Sequence, residues 1–120
     1  DDAEGQLFLQ TYRGKDGYTG VAGRTLLHLI EGRTYKISFM AASEDGEGRM
    51  KIRLKNVKSM DTLYDSHEVD GAWIKIGKKP RTYTRLYTHN AESEMDVRLE
   101  FDVGSKRQVL YLDKVELIRN

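Results

Sequence analysis

The chain has 120 residues, enough for one domain with a single core, and its twenty basic against nineteen acidic side chains leave a formal net charge of +1. That balance excludes a bulk electrostatic binder of nucleic acid, and the lack of cysteine excludes disulfides, thiolate nucleophiles and zinc–thiolate sites. No apolar run approaches the roughly eighteen residues of a membrane span, and the opening Asp1-Asp2 reads as the start of a mature or excised single domain over 1–120.

In chain order, period-two alternation predicts strands over 6–12, 24–30, 34–43, 49–56, 72–77, 81–90, 95–103 and 108–118. Glycines at 14, 17, 20 and 23 mark the stretch after the first strand as a loop, and turn signals recur at 44–48, 69–71 and 103–107. Pro80 directly precedes a predicted strand, which suits a sheet edge. Eight strands with at most a turn or two of helix predict an all-β, antiparallel two-sheet β-sandwich or a barrel.

Alternation also predicts which residues face inward. Tyr35, Ile37, Phe39 and Ala41 share one side of their strand, as do Met50, Ile52 and Leu54, and Val97, Leu99 and Phe101. Lys51, Arg53 and Lys55, with Asp96, Arg98, Glu100 and Asp102, take the opposite faces. Those faces are either solvated exteriors or the lining of a cleft.

Motifs for catalysis are missing from this pattern. The spaced glycines are followed by a strand pattern and not by the helix that a phosphate-binding loop needs. His28, His67 and His89 are too far apart for a local ligand pair, and no Gly-x-Ser-x-Gly elbow occurs. Carboxylates are plentiful, yet no pair stands out as a glycosidase acid and base, so the chain reads as noncatalytic.

The aromatic residues carry more information. Trp73 is the sole tryptophan, and Tyr83, Arg85, Tyr87 and His89 form an alternating row. Facing outward, that row is a platform of rings and donors that suits a sugar; facing inward, it puts Tyr83 and Tyr87 in the core with Arg85 reaching out to solvent. Both readings stand at this level.

The segment "LIEGRTYKISFMAAS" resembles the L-x-x-G-x-T-Y-x-x-S-F-x-A strand of the β-jelly-roll carbohydrate-binding modules of the galactose-binding-like superfamily, which holds families 4, 9, 16 and 22. The closing "RTYTRLYTHNAESEMDVRLEFDVGSKRQVLYLDKVELI" is similar to the T-Y-T-x-x-F … L-x-F-x-x-G … V-Y-x-D-x-V-x-L ending of that group. The resemblance runs from about Gly5 to Ile118. It implies two packed antiparallel sheets, one with a concave face that receives a polysaccharide or oligosaccharide chain. It further implies a noncatalytic module attached to a secreted or cell-surface bacterial glycoside hydrolase. Asp113 matches the last-strand aspartate and is implied as a ligand of a structural Ca2+ ion. The N-x-x-F-E motif that opens most relatives has no match here, Met40 replaces their Trp, and Arg85 replaces their Phe. Trp73, Tyr87, Arg85, Tyr18, Arg53 and Arg98 are the expected ligand-binding residues, and a structural or protein-interaction sandwich without sugar binding is the alternative.

Overall fold

The computed structural model describes residues 8–13, 19–25, 29–93, 97–103 and 108–120. These form β1 (Phe8–Arg13), β2 (Thr19–Thr25), β3 (Thr34–Ser43), β4 (Gly48–Asn56), β5 (Thr62–Asp65), α1 (Ser66–Asp70), β6 (Ile74–Ile76), β7 (Arg81–Thr88), β8 (Val97–Asp102) and β9 (Leu110–Arg119). The larger sheet has the order β1-β2-β8-β4-β5, with β6 also paired to β4, and the smaller sheet has the order β7-β3-β9. Every pairing is antiparallel. The expected all-β two-sheet sandwich is the fold observed.

The two sheets meet through the residues that alternation placed inside. Tyr35, Ile37 and Phe39 of β3 are fully buried, as are Ile52 and Leu54 of β4 and Leu99 of β8. Phe39 and Phe101 bridge the sheets edge to face, with ring centroids 5.2 Å apart. Burial of each such side chain contributes about 1.5–3 kcal/mol, and this is the main cohesive force between the sheets.

The strand prediction departs from the structure at two places. β2 forms over Thr19–Thr25, in a stretch expected to be a glycine loop. It lies between β1 and β8 and bonds to both, so ladder hydrogen bonds on its two edges override the weak strand preference of Gly20 and Gly23. The short β5 and the five-residue α1 were not anticipated, because a four-residue strand carries too little alternation to register.

α1 solves a local hydrogen-bonding problem. The first half of β4 pairs with β6 and the second half with β5, which leaves the backbone N–H of Ile52 between partners. The fully buried Ser66 Oγ accepts that N–H at 3.0 Å. Asp65 caps the helix by accepting the N–H groups of His67 and Glu68 at 2.9 and 3.2 Å, and Gly71 ends it in the left-handed region at φ 71°. Burial would raise the Asp65 carboxyl, but a hydrogen bond from Lys51 and the two helix N–H groups outweigh it. The carboxyl therefore titrates below the ordinary aspartate value of 3.8.

The row Tyr83, Arg85, Tyr87 faces the partner sheet, because Phe39, Ile37 and Tyr35, their cross-strand neighbours, are fully buried. Tyr83 stacks on Phe39 at 5.5 Å, and Tyr87 meets Tyr64 edge to face at 5.8 Å. Of the two readings of the alternating row, the inward one is therefore the one observed.

Three substitutions probe this framework. Ser66→Ala strands the Ile52 N–H and is expected to cost about 1–3 kcal/mol. Gly48→Ala places a Cβ 2.6 Å from Leu110 Cδ2 and 2.8 Å from Ser43 Cβ, and is expected to cost a similar ~1–3 kcal/mol. Urea unfolding midpoints measure both, and wild-type midpoints would refute the two contacts. Because the folded pKa of Asp65 is depressed, its stabilisation is present above 3.8 and is lost as pH falls through that value to the lower folded pKa. Asp65→Asn, which keeps the cap, should therefore destabilise at neutral pH, with the difference from wild type shrinking as pH falls below 3.8.

Candidate binding face of the larger sheet

The antiparallel register of β4 with β8 sets Lys51 opposite Asp102, Arg53 opposite Glu100 and Lys55 opposite Arg98. Since Ile52, Leu54, Leu99 and Phe101 turn inward, these six side chains share the opposite face of the two central strands. The spacing in sequence is what unites them: alternate positions on each strand, then a register that places unlike charges side by side.

Arg53 is the hub of this face. Its Nη2 lies 2.8 Å from Glu100 Oε1 and 2.9 Å from Asp102 Oδ2, and its Nε donates to Glu100 Oε1 at 3.1 Å. Arg98 Nε approaches the second oxygen of Glu100 at 2.8 Å, and Lys55 Nζ lies 3.8 Å from the first. Glu100 is only 2% exposed and Asp102 is 0% exposed. Carboxylates that far from water require charged partners, and both have guanidinium groups against them. That commitment makes them fixed acceptors that hold Arg53 and Arg98 in place.

Trp73 stands at the β6 end of the same face. It directly precedes β6, whose Ile74 and Ile76 are in the core, so the indole takes the polar side. The Arg49 guanidinium lies over the ring at 4.7 Å from its centroid, Lys51 Nζ lies at 5.8 Å, and the His67 ring meets it edge to face at 5.5 Å. Lys51 Nζ also pairs with Asp65 at 3.1 Å. The Gln108 side chain secures the Arg49 backbone, accepting its N–H at 2.9 Å and donating to its carbonyl at 3.0 Å.

Among the expected site residues, the structure sets Arg53 and Arg98 together against Glu100, with Trp73 on the same face at its β6 end. Arg85 and Tyr87 belong to the smaller sheet and turn toward the larger one, for the register reason given above. Tyr87 is a core residue whose hydroxyl lies 2.7 Å from His89 Nδ1. His89 Nε2 lies 2.7 Å from the Glu92 carbonyl, which can only accept, so Nε2 carries the proton and Nδ1 accepts from the phenol. Arg85 Nε bonds Asp70 Oδ2 at 3.0 Å and thereby ties β7 to α1. Tyr18 lies outside the described residues.

Asp113 is exposed, and one of its carboxylate oxygens accepts the N–H of Lys114 at 2.8 Å. Lys114 has φ 51° in a bulge where two residues of β9 oppose Phe39 alone. No group of three or more His, Asp or Glu among the described residues is placed to hold a metal ion. Arg49, Asp65 and Lys75 are the members of the face that sequence reasoning did not single out. Arg49 continues the alternation of Lys51, Arg53 and Lys55, which was the available signal.

No family model matches this chain, and no curated protein matches it. Solved structures are similar in fold. One is the structure described as "CBM4 structure and function", with 19% identity, a TM-score of 0.64, and coverage of 97% of this chain and 79% of that one. Another is the N-terminal cellulose-binding domain of β-1,4-glucanase C from Cellulomonas fimi, with 17% identity, a TM-score of 0.60, and coverage of 100% and 82%. A third is the CBM22-1 xylan-binding domain of Xyn10C from Paenibacillus barcinonensis, with 10% identity, a TM-score of 0.53, and coverage of 95% and 80%. This chain shares the two-sheet β-sandwich of those domains.

Proposed function

We propose that this domain binds a glycan chain on the polar face of its larger sheet, without cleaving it, and so holds an attached glycan-degrading domain at its substrate outside the cell. The observation that carries the reading is Trp73, a large ring outside the core, set on a face whose hydrogen-bonding groups are already fixed by ion pairs. A pyranose offers apolar C–H groups to a ring and hydroxyls to charged donors and acceptors, which is the chemistry this face presents. Preorganisation matters because few side chains need to be ordered when the ligand arrives. The fold likeness to cellulose-binding and xylan-binding domains supports the same reading.

The face extends over several strands. The backbone register carries one cross-strand row from Asp65 through Arg53 and Glu100 across β2 to β1. At strand spacings of about 4.8 Å, five strands span roughly 19 Å, long enough for an oligosaccharide and not only for one sugar. Dissociation constants in the micromolar to millimolar range, roughly −8 to −4 kcal/mol, suit one ring and a few charge-assisted hydrogen bonds.

Affinity electrophoresis against a panel of soluble glycans tests the proposal. The wild-type chain is expected to be retarded by at least one glycan, and Trp73→Ala to weaken that binding at least tenfold, about 1.4 kcal/mol, while melting within a few degrees of wild type. Tyr87→Ala, by contrast, is expected to lose about 3–5 kcal/mol of stability while its folded fraction keeps its affinity. No retardation by any glycan would return the domain to a protein-contact role.

A further inference from the structure

We infer that the glycan is acidic, a polyuronate or another carboxylated chain, and that Arg49 and Lys75 beside Trp73 read its carboxylates. This inference rests on the glycan-binding reading above and narrows its ligand.

The charge inventory of the face points that way. Arg49, Lys51, Arg53, Lys55, Lys75 and Arg98 are its described cations, Lys75 being the cross-strand partner of Arg49. Among the described residues, only Asp65, Glu100 and Asp102 oppose them, so six cations of the face stand against three carboxylates. Its three carboxylates are also committed: Glu100 and Asp102 to Arg53 and Arg98, and Asp65 to Lys51.

The surplus is concentrated where a sugar would stack. Among the described residues neither Arg49 nor Lys75 has a carboxylate partner. Arg49 Nε makes no hydrogen bond among the described residues, and its guanidinium lies over the indole and not against an anion. A pyranose against Trp73 sets its ring substituents near the Arg49 guanidinium, 4.7 Å from the indole centroid, and near Lys75, two residues further along the chain and the cross-strand partner of Arg49. A carboxylate substituent there gains charge-assisted hydrogen bonds. A neutral hydroxymethyl group displaces water from the same cations and returns no charge, which disfavours the uncharged glycan.

The decisive experiment compares each polyuronate with its own carboxyl-reduced form, since the backbone is then constant and only the charge differs. Polygalacturonate, alginate and hyaluronan would be measured by affinity electrophoresis and calorimetry near 0.15 M salt, where the Debye length is about 8 Å. At least one polyuronate is expected to bind at least tenfold tighter than its reduced form. Arg49→Gln and Lys75→Gln should each shrink that ratio at least threefold, whereas Trp73→Ala should weaken both forms. Equal affinity for the two forms, or a preference for the neutral one, overturns the inference and leaves the glycan-binding reading standing. Failure to bind any glycan, charged or neutral, removes both. Equal retardation by dextran sulfate and polyphosphate, insensitive to Trp73→Ala, would show charge adsorption alone and also overturns the inference.

Discussion

Arg53 holds two carboxylates that are almost wholly withdrawn from water, and the outer surface of the larger sheet is organised around that contact. Glu100 and Asp102 sit two residues apart on the central strand β8, with β2 on one side and β4 on the other. A buried carboxylate left unpaired costs about 3–5 kcal/mol, so loss of Arg53 would be felt in the sandwich as well as on its surface. The strands that carry this lattice turn Leu54, Leu99 and Phe101 into the core from their other side. Core packing fixes the strands, and the strands fix the charges.

The second constraint is the change of partner along β4. Pairing with β6 and then with β5 forces the chain through α1, and Ser66 covers the gap by accepting the Ile52 N–H. That short helix brings His67 against the indole and sends Asp70 across to Arg85 on the other sheet. Trp73 thus owes its place on the surface to a backbone hydrogen-bonding problem solved five to eight residues earlier. The same junction supplies Asp65, which caps the helix and pairs with Lys51 beneath the ring.

Strand alternation made most of the fold legible in the sequence, because a strand buried on one face repeats every two residues; β3, β4 and β8 are where that condition holds. β2 escaped because its glycines signal a turn while its neighbours on both edges supply the ladder that keeps it extended. The site was legible only in part. Lys51, Arg53, Lys55, Arg98, Glu100 and Asp102 could be assigned to polar faces, but that they form one face depends on β4 pairing with β8, a contact between residues far apart in the chain. The alternating aromatics of β7 misled for the converse reason. Arg85 sits on the inward side of β7 and is paired there by Asp70 of α1, an element too short to foresee.

The placement of the sole tryptophan gives this protein separate optical reporters for its surface and its interior. The indole lies outside the core, against Arg49, Lys51 and His67, while the interior aromatics are phenylalanine and tyrosine. Light selectively absorbed by the indole is therefore re-emitted from the polar face. A ligand settling on that ring changes the emission while the buried rings stay as they were, and a loosening of the core shows first in the near-ultraviolet signal of Tyr35, Tyr64 and Tyr87. Occupancy and folding can then be followed independently in one unlabelled sample.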